Sequence, residues 1–178
     1  MEVSLPILVG ITIVAMFFGY FFGLFEGLPE EKLVLLAIVG YTHDLIVIPE
    51  AIDNEEKTVV FVLKNLSSGE FGFSKKDLAE IKEMILATKM PQNPKNLIEQ
   101  ICCDADLGSL GSANFFTISE KLREEWKKPK DINWLKTQQD FLKSQRYFTK
   151  AARLLRDEGK AKNLEILEKM IRGEIEYK

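Results

Sequence analysis

The feature that most constrains this chain is its beginning. From Leu5 to Phe25 the text LPILVGITIVAMFFGYFFGLF runs for 21 residues without a charge. A helix of that length extends for roughly 30 Å, about the hydrocarbon thickness of a bilayer. No basic residue precedes the run and its apolar part is long, so it does not read as a cleaved signal peptide. The competing reading is a first helix buried in the domain. The run is apolar on every face, however, and a chain of 178 residues rarely covers such a helix all round. The expectation is therefore a transmembrane helix within residues 1–27, with lipid contact through residues 5–25, and a helical domain over 28–178. Only Glu2 and the terminal amine stand upstream, whereas Lys32 and most of the 24 Lys/Arg follow, which places the helical domain in the cytoplasm. A wholly cytoplasmic protein is the alternative. Gly19-x-x-x-Gly23 has the spacing of helix-pairing glycines, a weak signal in so Phe-rich a segment.

Composition narrows the function classes. The net charge is -3, with 29% charged residues, and no Lys/Arg stripe alternates with aromatics, which argues against nucleic-acid binding. The two cysteines, Cys102 and Cys103, are neighbours. Vicinal residues make a poor structural disulfide, so two free thiols in a reducing compartment are expected.

Beyond Gly27 the chain reads as helix after helix. Pro29 suits a first helical turn, and Glu30-Glu31 suit the positive end of a helix dipole. The run KLVLLAIVGYTHDLIVI is ended by Pro49. KTVVFVL is β-branched enough for a strand, but its neighbours argue for a helix. SSGEFG is a loop, and Ser74 is a candidate N-cap, with Leu78, Ile81, Met84 and Ile85 at helical spacing behind it. TKMPQNPKN is an irregular turn, NLIEQICCDADL a helix, GSLGS a break and FFTISEKLREEW another helix. INWLKTQQDFLKSQRYFTKAARLLRDEG reads as one long amphipathic helix stopped at Gly159, and NLEILEKMIRGEIE as the last. The fold class is all-α, with about six or seven helices.

The only histidine, His43, is followed at once by Asp44. Together they can offer an imidazole nitrogen and a carboxylate to one ion. Adjacent helical positions diverge by about 100°, so such an ion has to sit where the helix end bends. CDADLGSLG supplies Asp104 and Asp106 at the end of another helix. Histidine plus carboxylates suits Mn, Fe, Zn or Mg. By itself a His-Asp dipeptide occurs by chance in many proteins. Lys89 has two readings, a phosphate contact or a solvated loop lysine, and Glu55-Glu56 likewise are a general base or a solvent-facing helix start. Cys103, Tyr147, Phe148, Phe115 and Phe116 read as core.

An all-helical chain with a His-Asp pair after an apolar helix, and DADL some 60 residues later, resembles the HD superfamily of metal-dependent phosphohydrolases. The stretch from Phe71 to Leu122 is especially similar to a compact bacterial branch, and QRYFTKAARLLR and NLEIL fit it too. The resemblance implies a bundle of HD-domain helices and a divalent ion held by His43, Asp44 and Asp106, with Asp104 as the alternate ligand. It implies a catalytic part for Asp44 and hydrolysis of a small phosphorylated molecule, a nucleotide or another phosphoester.

The departures from that pattern bear on activity. The family's first histidine would fall in the apolar run, which has none, and Asn54 and Gln145 stand near two other places where that branch carries histidine. Two function classes follow. One is a divalent-metal phosphohydrolase of weak activity; the other is a catalytically degenerate HD-fold module that binds a ligand or partner.

Overall fold

The computed structural model describes the backbone of residues 5–48, 51–69 and 71–177, with side chains from residue 13 onward in those ranges. The described residues are all-α: eight α-helices and one short 3-10 helix, without a strand. They divide into two compact units, up to Leu107 and from Gly108 onward.

The first unit holds α1 (Leu5–Phe25), α2 (Glu30–Thr42), α3 (Asn54–Leu66), α4 (Lys75–Ala87) and α5 (Leu97–Asp106). Helix α1 lies along α2 and α5, α4 packs on α3 and α5, and α2 also meets α4 and α5. The apolar first helix belongs to this compact unit. Its inward face is Ala15, Gly19, Phe22 and Gly23, while Phe17, Tyr20, Phe21, Leu24 and Phe25 stay exposed. Among the described residues no helix is long and apolar enough to cross a membrane, so the expected span over residues 5–25 gains no support from them. Glu2, used for orientation, and Pro49, read as a helix stop, lie outside the described residues.

The approach of α1 to α2 depends on glycine. A Cβ on Gly40 would stand 2.6 Å from Met16 Cα and 2.8 Å from the Ala15 carbonyl oxygen, inside any permitted contact with backbone. One on Gly23 would meet only the tips of Leu33 and Leu36, at 2.7 and 2.8 Å. The Gly19-x-x-x-Gly23 spacing therefore serves a helix pair within the chain. Pro29 sits just before α2, in extended backbone, and its carbonyl accepts from Lys32 and Leu33. KTVVFVL is helical, with Thr58, Val59 and Val62 turned inward. At α4 a capping box is complete: Ser74 Oγ accepts from Asp77 N and Asp77 Oδ2 from Ser74 N. Asn96 caps α5.

The second unit begins at Gly108, within the 3-10 helix Leu107–Gly111, and contains α6 (Phe115–Glu125), α7 (Ile132–Ser144) and α8 (Lys150–Ile171). Here two sequence expectations fail together. The long helix expected from Ile132 to Gly159 is broken at Gln145, which is extended, and restarts at Thr149, whose side chain caps α8 by accepting from Ala152 N. The break buries Tyr147, whose hydroxyl accepts from Gly111 N. Gly159, read as a stop, lies inside α8, which runs on through NLEILEKMI. Its lack of a side chain is used for packing: a Cβ there would come within 2.1 Å of the Gly111 carbonyl oxygen, and one on Gly111 within 2.3 Å of the Arg156 carbonyl oxygen. Asn163 closes this contact by donating to the carbonyls of Leu110 and Ser112.

Helix contacts that admit no Cβ set a graded expectation. Gly40→Ala and Gly159→Ala each destabilise by about 3 kcal/mol, because backbone has to move. Gly23→Ala costs less, since leucine tips can turn away. Denaturant midpoints of the three variants check the order; an equal, small loss in all three would contradict it.

Candidate metal centre

The site is built from two helix ends of the first unit. Helix α2 stops at Thr42, with His43 as its C-cap. His43 keeps helical backbone there, and Asp44, just past the helix end, brings its carboxylate to 3.4 Å from the imidazole. The imidazole folds back on its own helix: Nδ1 lies 3.0 Å from the Gly40 carbonyl oxygen. That oxygen belongs to the last turn of α2 and lacks a helical partner, so a donor there satisfies it and a positive charge is favoured. Nδ1 thus donates, and Nε2 is the nitrogen left to face outward.

Nε2 meets two carboxylates, Asp106 Oδ1 at 3.2 Å and Asp44 Oδ2 at 3.4 Å. Ligand atoms of all three residues lie within 4.8 Å of one another. Asp106 ends α5, and its other oxygen accepts from Gln92 Nε2 at 2.9 Å. Gln92 donates also to the Cys103 carbonyl, at 3.4 Å, tying the turn before α5 to the helix it precedes. The segment after Asp44 is held in turn: Ile46 N donates to the buried Thr58 hydroxyl, and Asn54 clasps Ile48 through both its backbone groups.

Electrostatics follow from one buried base between two acids. Burial opposes charge on His43, but Asp44, and then Asp106, outweigh it and raise the imidazole from 6.5 to about 10. Its side chain is 2% exposed, against 37% for Asp44 and 16% for Asp106. Asp44 is itself raised, by burial first and by the charges of Asp106 and Glu55, while His43 pulls the other way. The two upward shifts look contradictory for an ion pair. They are reconciled by count: one cation serves two carboxylates, so His43 gains from both while each acid has to share it. Water reaches Asp44 and damps its shift.

The distances also suit an ion. Donors about 2.1 Å from one centre are about 3.0–3.4 Å from each other in octahedral or tetrahedral arrangement. The two distances from Nε2 fall in that range and the ligand atoms of Asp44 and Asp106 lie within 4.8 Å of each other, so these are the residues that could hold a divalent cation in place of the imidazole proton.

The other residues singled out in the sequence fall elsewhere. Asp104 is buried and outside the group of meeting ligand atoms. Residues two apart on a helix point about 200° apart, so when Asp106 faces His43, Asp104 cannot. Lys89 is ion-paired with Glu56. Glu55 acts on Asp44 only through its charge. Gln145 is in the second unit, beside Ser144. Cys102 and Cys103 are free and buried, and burial pushes both thiols up, so neither is a nucleophile at neutral pH. Tyr147 and Phe115 are core, as expected. Gly40 and Gln92 were not among the candidates. Neither carries a local signal: one lies in an apolar helix and the other in a turn rich in polar residues. No family model matches the chain, and no curated protein or solved structure does so either.

The raised imidazole makes a prediction for the metal-free protein. Below its ordinary value of 6.5 folded and unfolded chains both hold the proton; between there and about 10 only the folded chain does. Stability therefore falls as pH rises through that window. The single imidazole titrates near 10 by NMR, and both Asp44→Asn and Asp106→Asn bring the midpoint down. A wild-type midpoint near 6.5 would refute this account of the triad.

Proposed function

We propose that the first unit carries the divalent-cation site of an HD-type, metal-dependent phosphohydrolase acting on a nucleotide or other small phosphoester. The observation that supports this is the meeting of His43, Asp44 and Asp106 from two separate helix ends, with ligand atoms within 4.8 Å of one another. The resemblance of the Phe71–Leu122 stretch to the HD superfamily, and the all-helical fold, are in keeping with it.

In this reading His43 Nε2 and one oxygen each of Asp44 and Asp106 would hold the ion. One nitrogen and two oxygens suit Mn or Mg, loosely bound, with positions left to water and to substrate. When bound, such an ion lowers the pKa of a water and neutralises charge on a phosphate. Gly40 fixes the ring so that Nε2, not Nδ1, is offered. Asp44, the most exposed of the three, is placed to take the proton of an attacking water. Lys89 is paired with Glu56, and its ammonium keeps further donors for a phosphate oxygen.

One observation favours a second reading, a degenerate HD-fold binding module. A charged His43 already compensates the two carboxylates in part, so the triad can close as an ion network without metal.

The two readings part on titration with Mn and assay against a panel of nucleotides and a generic phosphoester. The enzyme reading expects weak Mn binding and slow, Mn-dependent hydrolysis. His43→Ala and Asp106→Ala should each lower turnover by about 100-fold or more. Absence of binding at millimolar Mn, with hydrolysis no faster than a blank, would leave the binding module.

A further inference from the structure

The geometry points to Gln92 as the positioning residue of this centre: its amide holds Asp106 so that Oδ1, and no other oxygen of that carboxylate, is offered to His43 Nε2 and to an ion there. Asp106 has one oxygen on each partner, Oδ1 at 3.2 Å from His43 and Oδ2 at 2.9 Å from Gln92 Nε2. A carboxylate at the last residue of a helix is free to turn about its terminal torsion, and a second hydrogen bond on the opposite oxygen removes that freedom. Gln92 is in turn anchored by its donation to the Cys103 carbonyl, one turn back along the same helix.

The arrangement has a counterpart across the site. Gly40 fixes the imidazole through Nδ1, and Gln92 fixes the carboxylate through Oδ2. Each donor that faces the centre is thus aimed by a neutral group on its far side. Asp44 stands apart in being the more exposed acid. Among the described residues Gln92 is the one uncharged side chain bonded to a member of the triad. An amide suits the task because it donates without adding charge; a lysine would compete with the ion and a carboxylate would repel Asp106. The consequence for metal binding rests on the divalent-ion reading, whereas the aiming of Asp106 does not.

Because His43 is the only histidine, its two ring nitrogens give single signals in a histidine-labelled protein, and they separate the two ideas. In the metal-free full chain, Gln92→Met keeps the bulk and removes the amide, and Gln92→Asn withdraws the amide by one carbon. Both variants should shift the Nε2 signal and speed exchange of its proton, and leave Nδ1, held by Gly40, in place. A purely structural role would disturb both nitrogens alike or neither. Unchanged Nε2 in folded variants, equal change at both nitrogens, or failure of both variants to fold would each overturn the inference. Zinc added alone then tests the reading beneath it. Zinc should move the wild-type Nε2 signal and bind about 10–100-fold more weakly to Gln92→Met. Zinc that leaves the wild-type imidazole untouched refutes the metal reading, while the metal-free signals still decide on Gln92. Zinc that moves the wild-type signal but binds Gln92→Met equally well overturns the part assigned to Gln92 in metal binding.

Discussion

The centre of the first unit depends on one residue without a side chain. Gly40 lets the backbone of α1 come against α2, and its carbonyl receives the imidazole of His43. These are two uses of one position. The close approach buries Val39 and Phe22 completely and gives α2 a fixed place against α5, where Asp106 stands. The carbonyl, orphaned by the helix end, then decides which ring nitrogen turns outward. A larger residue at this point would lose the helix contact first and the orientation of the base with it.

Charge balance gives the site its character. A histidine almost wholly removed from water would ordinarily be neutral, since burial disfavours the imidazolium. Two carboxylates within 3.4 Å reverse that preference. The same geometry that makes the imidazole hold its proton is the geometry an ion would need. A cation there would have to displace that proton, so any affinity for one is coupled to its loss. A site with a full set of neutral histidines would not pay this cost.

The second unit repeats, with other residues, the lesson about glycine. Gly111 and Gly159 bring a 3-10 turn against the middle of α8 at distances that exclude a Cβ on either side. In a sequence, a glycine after an amphipathic stretch reads as a stop, because it raises the backbone entropy lost in a helix. That loss is local and about 1 kcal/mol, and close packing with Asn163 bonded across the contact offsets it. The break between α7 and α8 is the converse case. Nothing in QRYF forbids a helix; it is the burial of Tyr147 and its bond to Gly111 N that draw the chain out of one.

What could be read without a structure was what neighbours in sequence decide. Apolar residues at helical spacing gave the all-α class and the places of α4, α5 and α6, and Ser74 was legible as a cap, because these depend on residues three or four apart; α2 ends at Thr42, short of the Pro49 read as its stop. His43, Asp44 and Asp106 were legible as candidates through residue type and resemblance. The resemblance already set Asp106 ahead of Asp104; the rotation of α5 against α2 supplies the physical reason, since it brings Asp106 and not Asp104 to His43. Gly40 and Gln92 act through groups 3 and 14 residues away, by a backbone carbonyl and a neutral amide that no pattern marks. Local spacing determined the helices and the chemistry on offer; only packing decided which oxygen and which nitrogen face each other, because that depends on how two helix ends meet in space.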